Sequence, residues 1–305
     1  MITATPHWIL FAQHGWADDS RAIANLASEL ATPDTLVVAP SLGYLKTWLR
    51  IKPLIQAVEA IAAATLLQHP NAVWRIIGHS MGGLIWLEVL DRHPEWWAHV
   101  DSLVLLGSPI GGSDLGRILD PLELGLGIAR DLGRNRRALA EAVSASIPTL
   151  VIAGDVDGGS DGTIPVESTK VLGAEFIRLA GVSHPTLRNH GQVAAAIRNF
   201  WLTHPTQAKT PLELEFRDSI VQRLRLAAWI TDAHHRDFYR SEVHTTLKDG
   251  VTLRLWKSPI GIDHVFVACP QGQCLYAGFV GWNDAKGLRQ ILAEIEQEHN
   301  DSSIT

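Results

Sequence analysis

The sequence predicts an α/β protein: a mostly parallel sheet with helices on both faces, followed by a small C-terminal α+β unit. Three observations carry this. Short apolar runs alternate with helical patterns from Trp8 to Phe200, the order that places helices in the crossovers of a parallel sheet. Several of these runs are apolar throughout, as in strands buried on both faces. Past His204 the order changes to a helix, four strand-like runs and a last helix.

Trp8 to Ala12 is the first strand and runs into Gln13-His14-Gly15-Trp16. Asp18, Asp19 and Ser20 cap a helix whose Ile23, Leu26, Ala27 and Leu30 share one face. Thr35 to Ala39 is the second strand, stopped by Pro40, and after a loop from Ser41 to Lys46 a long helix runs from Trp48 to Gln68. The third strand, around Val73, Ile76 and Ile77, enters Gly78-His79-Ser80-Met81-Gly82-Gly83. Leu84, Ile85, Leu87, Val89 and Leu90 then make a helix that ends before Pro94. Ser102 to Leu106, Thr149 to Ala153 and Ala174 to Leu179 are further strands, and a helix through Val193, Ile197 and Phe200 closes the unit.

Chemistry concentrates where the third strand meets its helix. A serine at the tip of a tight strand-to-helix turn is strained and presented, and side chains at Gly78 or Gly82 would crowd the bend. Ser80 is the candidate nucleophile. The helix that starts behind it aims its first amides at the reaction centre, which places the Met81 N–H to meet an oxyanion. His184 lies in the Gly-containing loop Ala180 to Pro185 after the last strand, where a neutral imidazole reaches the serine. His190 is the alternative base, and His79 reads as structural. Between the fifth and sixth strands, Gly154 to Ser168 offers Asp155, Asp157 and Asp161 as the acid.

At Gly78-His79-Ser80-Met81-Gly82-Gly83 the chain resembles the α/β-hydrolase family, in particular its lipase- and esterase-like members, over about the first two hundred residues. The resemblance implies the order Ser80, Asp, His184. It also implies that the residue after His14-Gly15, Trp16, supplies the second oxyanion amide. Relatives carry their acid before a short apolar-Pro step, which Asp161-Gly162-Thr163-Ile164-Pro165 fits, so Asp161 is the expected acid and Asp157 the alternative. Where relatives often carry Thr-Pro-His after the fourth strand, this chain has Ser108-Pro109-Ile110, which leaves the fold intact but weakens any carry-over of substrate class.

The hydrolase-like unit is expected to span 1–205, with a cap insertion over about 110–146. In it, Leu119, Leu122, Leu124, Leu126 and Ile128 line an acyl pocket or pack the cap itself. Arg134, Arg136 and Arg137 are expected on a solvated helical face, the alternative being contact with an acidic head group. The unit at 206–305 follows a polar, Pro-bounded linker. Its Ile220, Val221, Leu224, Ala227, Ala228 and Ile230 have helical periodicity, Asp249-Gly250 joins the first two of four antiparallel strands, and Asn283-Asp284 caps the last helix. It carries no catalytic motif, so a chain ending near Pro205 is expected to keep the chemistry. Packing against the first unit, self-association and partner selection all remain open roles for it.

Composition sets outer bounds. A net charge of −6 and a pI near 6.1 provide no basic field for a phosphate backbone, so nucleic acid is not an expected partner. The first residues lack a charged leader and a small-residue cleavage site, which points to the cytoplasm. No apolar stretch reaches the roughly 20 residues of a membrane span, although surface association stays open. Cys269 and Cys274 read as reduced structural thiols, and neither a metal nor an organic cofactor is expected. The expected activity is hydrolysis of carboxylic esters, including lipid and thioesters, through an acyl-enzyme. An amidase, peptidase or perhydrolase would use the same triad, and a hydrolase-fold scaffold protein would not use it at all.

Overall fold

The computed structural model describes residues 5–112, 128–203, 216–227 and 229–302. Strands β1 (Trp8–Gln13), β2 (Thr35–Val38), β3 (Val73–His79), β4 (Val100–Leu106), β5 (Thr149–Asp155) and β6 (Glu175–Ala180) form one sheet in the order β2-β1-β3-β4-β5-β6. All neighbouring pairs are parallel, with Trp8 level with both Thr35 and Val73. The helices of this part are α1 (Arg21–Leu30), α2 (Ile51–Gln68), α3 (Met81–Arg92), α4 (Ile128–Gly133), α5 (Arg137–Ser146), α6 (Val166–Thr169) and α7 (Gly191–Thr203).

Alternate residues of a strand face opposite sides of the sheet, so the apolar runs supply two cores at once. Ile9, Phe11, Trp74, Ile76, Leu103, Leu105 and Val151 share one with α2, α3 and α5. Leu10, Ala12, Ile77, Val104, Leu106, Leu150 and Ile152 share the other with α1 and α7. Full burial of a side chain of this size stabilises the fold by about 1.5–3 kcal/mol. The sheet is therefore buried on both faces at its centre, which is where β3 delivers Ser80.

One boundary differs from that read in the sequence. The long helix begins at Ile51, because Tyr44–Trp48 forms a 3₁₀ turn of its own. The Thr47 hydroxyl holds that turn, donating to the Tyr44 carbonyl at 2.6 Å and accepting from the Ala17 amide at 3.1 Å. Residues 113–127, which contain Leu119, Leu122, Leu124 and Leu126 of the expected cap, lie outside the described residues. Of the rest, α5 packs Ala140 and Val143 into the core beside α3 and so covers the sheet.

Arg136 and Arg137 do not lie on a solvated face. They are 4% and 1% exposed. Arg136 donates to Glu88 at 2.8 Å and to the Asp131 carbonyl at 2.7 Å, while Arg137 pairs with Asp232 and donates to the Glu167 carbonyl at 3.2 Å. A buried guanidinium is tolerated only when its donors are used, and those acceptors sit up to 95 residues away in the chain. Arg134 is exposed, as expected.

The C-terminal part has its own sheet: β7 (Ile230–Asp232), β8 (Glu242–Thr246), β9 (Thr252–Lys257), β10 (Asp263–Ala268) and β11 (Cys274–Val280), antiparallel in the order β7-β11-β10-β9-β8. The expected four-stranded meander is present, and β7 adds a fifth strand at its edge. Asp249 and Gly250 both take positive φ, 58° and 73°, as a tight hairpin connection requires. Helices α8 (Phe216–Leu226) and α9 (Ala285–Ser302) cover one face through Ile220, Leu224, Leu288, Leu292 and Ile295. Phe266, Phe279 and Ala277 pack on the other. Cys269 and Cys274 are both free thiols.

The two sheets meet along a polar seam. The Asn135 side-chain amide donates to the carbonyls of Arg225, Ala227 and Ile230 at 2.7, 3.2 and 3.3 Å. Gln222 donates to Glu141 at 2.7 Å, and Arg225 pairs with Glu167. Burial would raise the Glu167 pKa, but the charges of Arg225 and Lys170 hold it below the usual carboxylate value. A depressed folded-state pKa contributes stability that is fully present above the unfolded value of about 4.3 and is lost as pH falls through the folded value. Glu167→Gln should therefore lower the urea midpoint at pH 7, and the gap from the wild type should shrink as the pH falls below about 4. An equal gap at both pH values would show that the charge contributes nothing.

Candidate active site

At the end of β3 the chain turns through Ser80 with φ 54° and ψ −125° and enters α3 at once. A non-glycine residue held in this region is strained and persists only where its surroundings fix it. Here they do. A Cβ on Gly78 would lie 2.4 Å from Gly83 Cα, one on Gly82 would lie 2.3 Å from the Gln13 carbonyl oxygen, and one on Gly15 would lie 2.8 Å from Ser80 Cβ. The elbow and the Gln13-His14-Gly15-Trp16 turn are thus in backbone contact.

This close approach gives a prediction. Gly82→Ala sets a methyl against a main-chain oxygen that cannot yield, and should destabilise the fold by at least about 1–3 kcal/mol in a urea titration. Gly191→Ala, with nothing within 4 Å of the new carbon, should be nearly silent. Equal midpoints for the two variants would refute the close approach.

His14 fixes the turn that holds Trp16. Its Nε2 accepts from the Leu42 amide at 2.9 Å, which leaves Nδ1–H to donate to the Gly15 carbonyl at 3.0 Å. Burial keeps its pKa below the ordinary value, so the ring is neutral. Trp16 follows directly, its ring edge-on to Trp48 with centroids 4.4 Å apart. Met81 opens α3, whose first-turn amides have no acceptor within the helix. The amides of Trp16 and Met81 therefore belong to two backbone segments that touch at Ser80.

Asp161 and His184 are brought together directly. Asp161 Oδ2 accepts from His184 Nδ1 at 2.6 Å, and the His184 amide donates to the Asp161 carbonyl at 2.8 Å. The other carboxylate oxygen takes the amides of Thr163 and Ile164 at 3.0 and 2.7 Å. Asp161 is 2% exposed. Since Nδ1 must carry the proton it donates, Nε2 of a neutral His184 is left as an acceptor. The pair sits against the end of β4, where a Cβ on Gly107 would lie 3.1 Å from both Asp161 Oδ2 and His184 Nδ1. One residue earlier, the Leu106 carbonyl accepts from the Ser80 amide at 2.8 Å. Serine, histidine and aspartate thus converge on residues 106 and 107.

The alternative residues sit elsewhere. Asp157 ties its own loop, accepting from the amides of Gly159 and Ser160 and from the Ser160 hydroxyl. Partial burial would raise its pKa, but these bonds bring it down to about 2. Asp155 pairs with Arg178 and accepts from the Gly158 amide at 2.8 Å, closing the turn after β5. His190 accepts from the Gln192 amide at the start of α7. His79 is buried, with its ring 4.8 Å from that of His184 and its Nε2–H donated to the His184 carbonyl at 3.0 Å. Burial and the neighbouring His184 push its pKa well below the ordinary value. It supports the histidine loop as a neutral strut. Neither its bond nor that of His14 was visible in the sequence, because both partners are main-chain groups brought in by the fold.

A parallel sheet with a strained serine between β3 and α3, and an Asp-His pair on the loops after β5 and β6, defines the class: the six-stranded part of this chain has the α/β-hydrolase fold. The family model described as serine aminopeptidase, S33 (Hydrolase_4) matches residues 4–123. Among solved structures, the propeptide form of the lipase BlEst2 from Bacillus licheniformis is 14% identical with a TM-score of 0.52, over 70% of this chain and 53% of that one. This chain thus spans about half of that protein. The mature form of the same lipase is 14% identical with a TM-score of 0.49, over 65% of this chain and 93% of that one. The RedJ thioesterase from Streptomyces coelicolor is 19% identical with a TM-score of 0.41, over 65% and 87%. No curated protein sequence matches. Among the described residues no helix is long and apolar enough to cross a membrane, and no group of three or more His, Cys, Asp or Glu is placed to hold a metal ion.

Proposed function

We propose that residues 1–205 form a serine hydrolase acting on carboxylic esters, with Ser80 as nucleophile, His184 as base and Asp161 as the acid that orients it. The observation that carries this is the Asp161–His184 bond beside a serine at φ 54°. The Nδ1 proton is committed to Asp161, so Nε2 is the basic nitrogen that takes the Ser80 proton as Oγ attacks the acyl carbonyl. The carbonyl electron pair moves onto oxygen, where the amides of Trp16 and Met81 stabilise it. Collapse expels the alcohol or thiol, which takes the proton from His184, and water repeats the sequence to release the acid. No step calls on a metal or an organic cofactor.

Exposed apolar residues near Trp16 and a leucine-rich stretch of sequence support an ester or lipid substrate over a polar one. Tyr44, Leu45, Trp48 and Leu49 are exposed, with Trp48 packed on Trp16, and the sequence from Leu115 to Ile128 is rich in leucine. The same exposed residues, flanked by Lys46 and Arg50, support association with a lipid surface. The family description favours a second reading, an aminopeptidase on the same triad. A fluorophosphonate probe followed by p-nitrophenyl esters of graded chain length and aminoacyl arylamides tests both. Labelling with turnover of apolar esters is the expected result. Labelling with turnover of arylamides alone would transfer the assignment to the peptidase, and no labelling would reject the serine enzyme.

A further inference from the structure

We propose that the C-terminal unit holds the acid loop in register for catalysis, with Arg225 and His234 as positioning residues for Asp161. The inference rests on the triad reading above. The loop from Val156 to Pro165, which carries Asp161, is tied at its base by β5 and β6, and its outer side faces the C-terminal sheet. There a Cβ on Gly159 would lie 2.6 Å from the His235 ring and 2.9 Å from His234 Nε2. His234 Nε2 lies 3.4 Å from Asp157 Oδ1, the same oxygen that gathers the amides of Gly159 and Ser160. Ser160 is the residue before Asp161.

The far end of the loop is gripped as well. Glu167, in α6 two residues past Pro165, pairs with Arg225, and its carbonyl accepts from buried Arg137, which in turn pairs with Asp232 of β7. The Asp232 amide donates to the Gly111 carbonyl at 3.1 Å, and the Gly111 amide donates to the Ser168 carbonyl at 2.9 Å. Edge strand β7, the Gly111-Gly112 segment that continues from β4, and α6 are therefore one bonded chain. Between these grips the seam is not filled. A cavity of about 140 Å³ lies there, lined among others by Gly158, Gly159, Glu167, His235, Cys274 and Tyr276. Beside this cavity the loop is met by the polar contacts of His234 and Arg225. A chain ending near Pro205 would keep Ser80, Asp161 and His184 but lose Arg225, Asp232 and His234, so its chemistry should not survive intact.

The test uses the full chain with Arg225→Gln and His234→Ala combined. Arg137 is left in place, because removing it would strand the buried Asp232 charge and unfold the protein. Hydrogen exchange at residues 156–165 should become faster while the rest of the fold keeps its protection. A misplacement of about 1 Å can cost up to about 100-fold in rate, so kcat should fall on the order of ten- to a hundred-fold with KM little changed. Active-site titration with the fluorophosphonate separates positioning from simple loss of folded enzyme. The labelled fraction at completion should match the wild type while kcat per labelled site falls, whereas a partly unfolded sample loses labelled sites and keeps its rate per site. Arg225→Lys with His234→Gln, which retain the charge and a hydrogen-bond donor, should restore much of the rate. A folded double variant with wild-type exchange, or with faster exchange but unchanged kcat per labelled site, overturns the proposal. Absence of probe labelling in the wild type would instead reject the triad, and the exchange measurement still decides whether the C-terminal unit holds the loop.

Discussion

Ser80→Ala is expected to abolish fluorophosphonate labelling and to lower ester turnover by on the order of a million-fold where chemistry limits the rate. The size follows from the role. Without the hydroxyl the proposed acyl-enzyme cannot form, and the oxyanion amides proposed at Trp16 and Met81 are left to act on an attack by water that nothing aligns. The fold should survive, and its urea midpoint should not fall, because the change removes one oxygen from a side chain that is already strained. Alanine tolerates φ 54° no better than serine, so the positive φ stays imposed by Gly15, Gly78 and Gly82. Circular dichroism, probe labelling and turnover should be read on one preparation. A folded Ser80→Ala protein that still labels or turns over would move the nucleophile away from the elbow.

The parallel sheet was legible because its information is local. Strands β1, β3, β4 and β5 carry apolar residues on both faces, and glycine marks the turns at which β3 and β4 end. The C-terminal hairpin was legible for a similar reason, since Asp249-Gly250 supplies two successive positive φ values. Strand β7 was not. It is three residues long, and the helical periodicity from Ile220 runs into its first residue, Ile230. What makes it a strand is its pairing with Gly278, Phe279 and Val280, about 50 residues later.

The same distinction runs through the site. Gly78 and Gly82 announce a strained serine from five residues of sequence, whereas burial of a charged group is decided by partners far along the chain. Arg136 and Arg137 read as a solvated basic run because Arg134 and Asn135 beside them are polar. Their neutralising partners, Glu88 and Asp232, are separated from them by 48 and 95 residues. The role of Asn135, which holds three carbonyls of the C-terminal unit, was hidden in the same way. The seam between the two sheets is therefore the part of this protein that its sequence showed least.

Asp161→Asn is expected to lower turnover by roughly 10⁴-fold with little loss of stability, while Asp157→Asn stays close to the wild type. Geometry dictates the difference. One oxygen of Asp161 already takes the amides of Thr163 and Ile164, so an asparagine there keeps its carbonyl oxygen on those amides and turns its NH₂ toward His184. An NH₂ only donates, and His184 Nδ1 can accept it only by giving up its own proton. The imidazole proton then moves to Nε2, the nitrogen proposed to take the proton from Ser80, and the proposed base is lost although the fold is kept. At Asp157 an asparagine keeps an oxygen for the amides of Gly159 and Ser160 and presents an NH₂ to the Ser160 hydroxyl, which can accept it. Nothing there reaches His184. Raising the pH cannot rescue Asp161→Asn, because the fault is the placement of a proton on a neutral ring, so its deficit should persist across the alkaline range. If Asp157→Asn collapses while Asp161→Asn turns over normally, the acid is the residue four positions upstream, and the 2.6 Å bond between Asp161 and His184 has no part in catalysis.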